Sequence, residues 1–280
     1  MSTSNKKDSY MNKLLSAFLF VALLCSCADS YDIKGSSNVS NLDGRKLYLK
    51  VIKDGELKNI DSCDVVHGQF SFSGTLDSVR MAGLYMDNES VLPVVLERGC
   101  INIKIDDTHR SCIGTPLNDK LSKFLDSYNR LESQVNELSH KQSRAIMNGD
   151  DLDDINSKLE QEAQQIAIQE DRLVTSFITE NFDNVLGPGV FMMVTSGFRF
   201  PELTPWIEDI MSKATDTFKR DPYVKEYIEA AQRNQNIMNG LENPTESDAQ
   251  MLPSQPTAPP TPNELAQPSQ AGRQGQADSD

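Results

Sequence analysis

The sequence lacks the positive charge that several classes of binding protein need. Its 280 residues carry 27 Lys and Arg against 41 Asp and Glu, which gives a formal net charge of −14 and an isoelectric point near 4.7. Binding to nucleic acid depends on basic side chains that neutralise phosphates, so this composition argues against a nucleic-acid partner. It argues equally against electrostatic adhesion to an anionic membrane surface.

The motifs of common catalytic sites are missing as well. The sequence contains no Gly-x-Ser-x-Gly nucleophile elbow, no Cys-His signature and no Gly-rich loop placed to bind a nucleotide. The four aspartates within residues 150–154 fail the calcium-loop pattern, because Ile155 and Asn156 hold the fifth and sixth positions counted from Asp151. We interpret them as acidic residues at a helix N-terminus.

One acid–histidine cluster, formed by Asp106, Asp107 and His109, is close enough in sequence to suggest acid–base or metal chemistry. Tight turns after strands use the same residue types, and no catalytic spacing accompanies the cluster, so we interpret it as a turn. The sequence therefore predicts no catalytic residue, no metal site and no cofactor, and we expect that the protein is not an enzyme.

The apolar run at residues 14–24 is not predicted to be a membrane-spanning helix, because such a helix takes about 20 apolar residues and this run is much shorter. Three lysines precede this run, and that order is typical of a secretory signal. It ends at Leu24-Cys25-Ser26-Cys27, which resembles the bacterial lipobox, with a leucine three residues before the acylated cysteine and a small residue directly before it. We predict a signal peptide over residues 1–26 and a lipid on Cys27 that tethers the protein to a membrane.

Cysteine is scarce, and no Cys-x-x-Cys motif is present, so the usual two-thiol redox centre is missing. With Cys25 removed in the signal and Cys27 lipidated, Cys63, Cys100 and Cys112 remain. We interpret these three as small apolar core residues. A disulfide between two of them, with one thiol left over, is an open alternative.

Short alternating runs separated by turn residues occupy residues 27–114. Leu47, Leu49 and Val51 share one face of a half-buried strand, and Asp54-Gly55 directly after it is a hairpin signal. The spacing predicts seven or eight short strands. We expect an antiparallel β-sandwich or a small open barrel.

Helical periodicity begins after this β domain and covers residues 115–241. Thr115 is predicted to be the N-cap before Pro116, and Asn148-Gly149 predicts a helix end before an aspartate-capped second helix. Two long helices joined by a short loop are expected to form an antiparallel hairpin. We predict that residues 187–189 then break the chain before further helices. The first helix carries a heptad seam of Leu117, Leu121, Phe124, Tyr128, Leu131, Val135 and Leu138.

Residues 242–280 are rich in Pro, Gln and Ser, with no aromatic residue. Such a segment cannot bury enough apolar surface to offset chain entropy, so we predict a disordered tail, with a proline-rich ligand for a partner domain as the alternative. The whole chain is thus predicted to be α+β. Five aromatic residues could line a ligand groove, although we interpret them as packing residues: Tyr48, Tyr85, Phe198, Phe200 and Trp206.

Seven short segments of the chain together form a recognisable order of turn and packing motifs. They are Tyr31-Asp32-Ile33-Lys34-Gly35, Lys46-Leu47-Tyr48-Leu49, Ile60-Asp61-Ser62, Gly68-Gln69-Phe70-Ser71-Phe72-Ser73-Gly74, Leu96-Glu97-Arg98-Gly99, Ile113-Gly114-Thr115-Pro116-Leu117-Asn118 and Phe177-Ile178-Thr179-Glu180-Asn181. This order resembles a lipoprotein domain of unknown function that usually precedes a thioredoxin-like domain in envelope thiol-disulfide oxidoreductases of gut-type bacteria. The resemblance implies an envelope location, with the outer membrane favoured over the inner one, and it carries over no catalytic residue.

This chain departs from the resemblance where the redox domain is expected, because it passes into the proline-rich segment. We therefore expect a lipid-anchored, non-enzymatic envelope lipoprotein that serves as a binding or scaffold module for a protein or a small ligand. The alternative is an accessory to a separately encoded thioredoxin-like oxidoreductase. A surface protein that captures glycan or peptide is a third possibility, based on the β domain and its aromatic residues.

Overall fold

A computed structural model describes residues 30–53 and 55–243 of the chain. The predicted signal peptide, Cys27 and residues 244–280 of the predicted tail lie outside these described residues. Eight strands come first: β1 (Ser30–Ser37), β2 (Lys46–Lys53), β3 (Glu56–Asp64), β4 (Gln69–Thr75), β5 (Arg80–Met86), β6 (Glu89–Leu96), β7 (Gly99–Ile105) and β8 (Arg110–Ile113).

The strands form two four-stranded sheets, in the orders β4-β1-β7-β8 and β3-β2-β5-β6. Alternate residues of both sheets face each other and are buried, as in Leu47 and Leu49 of one sheet and Ile33 and Ile101 of the other. This arrangement confirms the predicted α+β class and the sandwich. It is a sandwich of two separate sheets and not a barrel.

One strand pair differs from the predicted antiparallel arrangement. β1 pairs with β4 in antiparallel fashion but with β7 in parallel, with Tyr31 opposite Gly99 and Ile33 opposite Ile101. Parallel neighbours need a long crossover, and here five strands separate the two in sequence. Local periodicity shows that both are strands but says nothing about which strand lies beside which.

The strand connections divide cleanly between the two ends of the sandwich. At the end where β1 begins lie the β2–β3 hairpin, the β4–β5 and β6–β7 connections, and the end of β8. We call this the N-terminal end. The β1–β2, β3–β4, β5–β6 and β7–β8 connections lie at the opposite end, which we call the far end.

Six helices follow: α1 (Pro116–Asn148), α2 (Leu152–Glu180), α3 (Leu186–Thr195), α4 (Pro205–Lys213), α5 (Asp216–Lys219) and α6 (Pro222–Met238). The predicted hairpin of two long helices is α1 and α2. Gly149 ends α1 in the left-handed conformation, with φ of 75°, and the Asp151 side chain accepts a hydrogen bond from the Asp153 amide at the start of α2. Both caps follow from local chemistry alone.

The predicted break at residues 187–189 is wrong, because Gly187-Pro188-Gly189 lies inside α3. Pro188 is the third residue of the helix, where a missing N–H costs no intrahelical hydrogen bond. The glycines allow close packing: a Cβ on Gly187 would lie 2.5 Å from the Asn181 carbonyl oxygen, and one on Gly189 would lie 2.7 Å from the Met81 side chain. These residues therefore join the helices to β5.

The helical region packs on the outer face of the β3-β2-β5-β6 sheet. Val95 of β6 is completely buried in the helical core, and Met81 of β5 packs against the same core. The two parts of the protein are thus joined by an apolar contact rather than by a bare linker. Within the described residues, none of the helices combines the length and the apolar character that crossing a bilayer requires.

Candidate functional site

The distal part of the α1–α2 hairpin packs only against itself. Leu131 and Leu138 of α1 and Ile166 of α2 are buried in a small core that is separate from the main helical core. The helix rise of 1.5 Å per residue makes the part of α1 beyond Leu131 about 25 Å long. We call residues 131–166 the arm.

A groove runs along the base of the arm, between α1 and α2. Its volume is about 540 Å³, which is within the range of small-ligand sites. The lining positions recur at helical spacing on each helix, so one face of α1 and one face of α2 form the walls. Those side chains are Ser127, Arg130, Leu131, Gln134, Gln169, Arg172, Leu173, Ser176, Phe177 and Glu180.

Two arginines give the groove its chemical character. Arg130 stands on α1 and Arg172 on α2, both exposed, and neither makes an ion pair with another residue of the described chain. Elsewhere on the hairpin, Lys141 pairs with Glu162 and Arg144 pairs with Glu137, each at 2.7 Å. The guanidinium group binds carboxylate or phosphate through two parallel hydrogen bonds. Glu180 adds one carboxylate to the same lining, so the two arginines leave the groove with an excess of positive charge that suits an anionic group.

A buried polar network holds the base of α1 against the sandwich. Asn118 is completely buried and uses all of its hydrogen-bonding capacity. Its Oδ1 accepts from the Val95 amide at 2.9 Å and from the Cys112 thiol at 3.1 Å. Its Nδ2 donates to the Val95 carbonyl at 2.7 Å and to Thr115 Oγ1 at 2.8 Å. The side chain therefore pairs with the edge of β6 as a neighbouring strand would.

The cap of α1 comes from the sandwich, which differs from the local prediction. Thr115 is the N-cap by position, but its side chain accepts no hydrogen bond from a backbone amide of the first turn. The Glu97 carboxylate, 20 residues earlier, accepts from the Leu117 amide at 2.8 Å and from the Asn118 amide at 3.1 Å. A buried carboxylate at a helix N-terminus satisfies the free amides and complements the helix dipole.

We predict that Cys112 makes the protein sensitive to alkali. Burial and the nearby Glu97 and Asp119 carboxylates raise the pKa of the Cys112 thiol from 9.0 to about 12. Because the folded protein holds this proton more tightly than the unfolded chain, the stabilisation is complete below pH 9 and is lost as the pH rises towards 12. The loss attributable to Cys112 should reach about 2 to 3 kcal/mol by pH 11.

The measurement is urea denaturation at pH 8 and pH 11 for wild type and Cys112→Ser. The serine hydroxyl can still donate to Asn118 but does not titrate in this range, so the variant should lose less stability on the alkaline side. Burial and the nearby Glu170 also raise the pKa of Tyr128 to about 12. Tyr128 is present in both proteins, so its contribution cancels in the comparison. Equal alkaline losses in the two proteins would contradict the prediction.

The structure answers the open question about the cysteines, since Cys63, Cys100 and Cys112 are all free thiols. Cys112 is buried in the sandwich core and Cys63 is half-buried beside it, as predicted. The core interpretation is wrong for Cys100, which is exposed because it faces outward on β7. Burial is the main cause that raises the pKa of Cys63, and the charges of Asp61 and Asp64 raise it further.

The five candidate aromatic residues do not converge on one groove. Phe198 and Trp206 pack against the helical core, and Trp206 Nε1 donates to Thr175 Oγ1 at 2.7 Å. Phe200 is half-buried and belongs to neither large core. Tyr48 and Tyr85 are cross-strand partners on the outer face of the sandwich.

These two tyrosines hold a lysine that sequence inspection did not single out. Lys50 Nζ lies 4.8 Å from the ring centre of Tyr85 and 5.6 Å from that of Tyr48, within reach of a cation–π interaction. It also donates to the Asp87 carbonyl at 3.2 Å. The signal in the sequence was that Tyr48 and Lys50 lie on the same face of one strand, while Tyr85 lies on another strand.

The acidic clusters occupy the positions that their turn and cap interpretations predict. Asp106 and His109 close the β7–β8 turn through a backbone hydrogen bond of 2.8 Å, and Lys104 pairs with Asp106 at 3.0 Å. Asp153 and Asp154 lie in the first turn of α2. Among the described residues, no three His, Cys, Asp or Glu side chains are gathered as a metal site requires.

Comparison with known proteins identifies the β part of the chain. Residues 31–121 match the profile of a family described as Domain of unknown function (DUF4369). The match begins at β1 and ends in the first turns of α1, so it includes Glu97 and Asn118. No curated protein matches the sequence.

Proposed function

Because residues 31–121 form a domain of the DUF4369 family, we propose that the protein is a lipid-anchored, non-enzymatic envelope lipoprotein that binds a partner through its helical arm. The observation that carries the binding role is the groove between α1 and α2, with Arg130 and Arg172 on opposite walls. In this proposal the DUF4369 domain is the base that carries the helices, and Asn118 attaches the start of α1 to it.

The anchor part of the proposal rests on the sequence before β1. Lysines, a short apolar run and Leu24-Cys25-Ser26-Cys27 follow the order of a lipoprotein signal. One acyl chain binds a bilayer only marginally, whereas several chains bind durably, so a multiply acylated Cys27 holds the protein without help from its acidic surface. The envelope, and the outer membrane before the inner, is the location that this anchor and the family resemblance support.

The scaffold part rests on how the arm is built. Its core shares no residue with the core of the sandwich, so contacts on the arm leave the sandwich undisturbed. Several large apolar side chains on it remain exposed, among them Ile146, Met147 and Leu152. Nearer the groove, Ile168 is exposed and lies one helical turn before Arg172 on α2. Exposed apolar side chains near unpaired arginines are typical of protein-binding surfaces. A partner with a carboxylate or phosphate group and an apolar segment suits this surface.

We predict that Cys27→Ala releases the protein from the membrane. Wild type should pellet with the envelope and partition into the detergent phase, whereas the variant should be recovered in the soluble fraction, since its acidic surface gives it no affinity for anionic lipid. Mass spectrometry of the wild-type N-terminal peptide should find acyl chains on Cys27. Retention of the variant in the detergent phase would contradict the anchor.

Binding through the groove predicts a specific loss in the arginine variants. Envelope purification of the full-length, lipidated chain should recover a partner whose yield falls about tenfold with Arg130→Ala or Arg172→Ala, because each change removes a charge-assisted hydrogen bond. Arg220→Ala is the matched control, since Arg220 follows α5 and lies outside both the arm and the lining of the groove. The same yield from all three variants would rule out the groove as the binding site.

A further inference from the structure

The exposed apolar side chains of the sandwich are concentrated at its N-terminal end. Ile52 and Leu57 face each other across the β2–β3 hairpin, 48% and 47% exposed. Val79 in the β4–β5 connection is 42% exposed, and Ile113 at the end of β8 is 47% exposed. Of the six large apolar residues that the described sandwich exposes, these four share one end, and only Val66 lies at the far end.

The residue that the proposed function lipidates is joined to the same end by a short stretch of chain. Cys27 precedes Ser30, the first residue of β1, by three residues. Each residue spans at most about 3.6 Å, so β1 begins within about 11 Å of the acylated cysteine. A tether this short leaves the sandwich little choice about which end faces the bilayer.

From these two observations we infer that the N-terminal end of the sandwich is a bilayer-contacting surface. Ile52, Leu57, Val79 and Ile113 enter the interfacial region of the membrane that holds the acyl chains. The inference rests on the proposed anchor at Cys27 and adds an orientation to it. The far end then stands about 25 Å further from the lipid, since β1 is eight residues long and rises about 3.3 Å per residue.

The charge of the protein decides what kind of contact this is. A net charge of −14 gives no attraction to anionic headgroups, so the contact depends on apolar side chains. Side chains of this type stabilise an interfacial position by burying their apolar area at the boundary between headgroups and acyl chains. Because the tether is short, the bilayer that holds the acyl chains lies next to this surface in every copy of the lipidated protein.

The test uses the full-length, lipidated protein in phosphatidylcholine vesicles, in a Cys100→Ser background that removes the exposed native thiol. Val79→Cys reports on the N-terminal end and Val66→Cys on the far end, because both are exposed valines of the same sandwich. Each is labelled with the environment-sensitive dye NBD, and Cys100→Ser alone measures labelling of the remaining thiols. Vesicles with and without doxyl-labelled phosphatidylcholine then report contact with lipid.

We expect the Val79→Cys label to lose about half of its fluorescence to the doxyl lipid and the Val66→Cys label to lose almost none. Equal quenching of both labels, or none at Val79→Cys, in protein that still floats with the vesicles would overturn the orientation and leave the anchor intact. Failure of the proposed anchor is read separately, because the protein would then carry no acyl mass on Cys27 and would not float.

Discussion

Asn118→Ala is expected to lower the free energy of unfolding by about 3 to 5 kcal/mol, because it leaves the amide and the carbonyl of Val95 buried without partners. The same change removes the acceptor of the Cys112 thiol and a donor to Thr115. The loss should be visible as a lower urea midpoint in far-ultraviolet circular dichroism. The network joins α1 to β6, so the sandwich and the helices should be affected together.

Asn136→Ala is the matched control for this prediction. Asn136 lies on the exposed face of the same helix, and alanine has the higher helix propensity, so the control should be unchanged or slightly more stable. A loss of less than about 1 kcal/mol in Asn118→Ala would mean that the strand edge finds other partners, contrary to the geometry.

Phe191→Ala is expected to cost about 3 to 5 kcal/mol, since it empties the centre of the helical core. Phe191 is completely buried in α3. The single tryptophan reports directly on this core, so unfolding can be followed by the fluorescence of Trp206. Phe191 contacts four aromatic rings, with centroid distances between 5.3 and 6.4 Å: Trp206, Phe218, Tyr223 and Tyr227.

Phe200→Ala is the control for this prediction, because it removes an aromatic ring that does not belong to a large core. Phe200 is half-buried outside both large cores, so its removal should cost less than about 1.5 kcal/mol. Similar midpoints for the two variants would show that the aromatic cluster around Phe191 does not hold the helices together.

Residues whose environment is set by their neighbours in sequence were predictable. Leu47, Leu49 and Val51 alternate with polar residues and are buried on one face of β2. Gly149 ends α1 and Asp151 begins α2, because a left-handed C-cap and an aspartate N-cap need only the local backbone. The heptad seam of α1 holds for Leu121, Leu131 and Leu138 but not for Val135, which is 42% exposed where the arm has little to pack against.

Residues whose role depends on a distant partner were not predictable. Glu97 and Asn118 look like ordinary polar residues until the sandwich and α1 meet, because the groups that they bind belong to different elements. Gly187-Pro188-Gly189 has the composition of a loop, and only the close approach of Met81 and Asn181 explains glycine inside a helix. The groove has the same origin, since Arg130 and Arg172 lie on different helices and neither position is distinctive in sequence.

The sequence by itself determined the class of the fold, the order of its β and helical parts and the junction between α1 and α2, since periodicity, caps and turn residues act over a few positions. Only the tertiary structure decided that β1 lies parallel to β7, that a carboxylate from the sandwich caps α1, and that four exposed apolar side chains gather at the end where β1 begins. The physical reason is distance along the chain. Interactions between residues far apart in sequence leave no local pattern, and they exist only after the two sheets and the helices have packed.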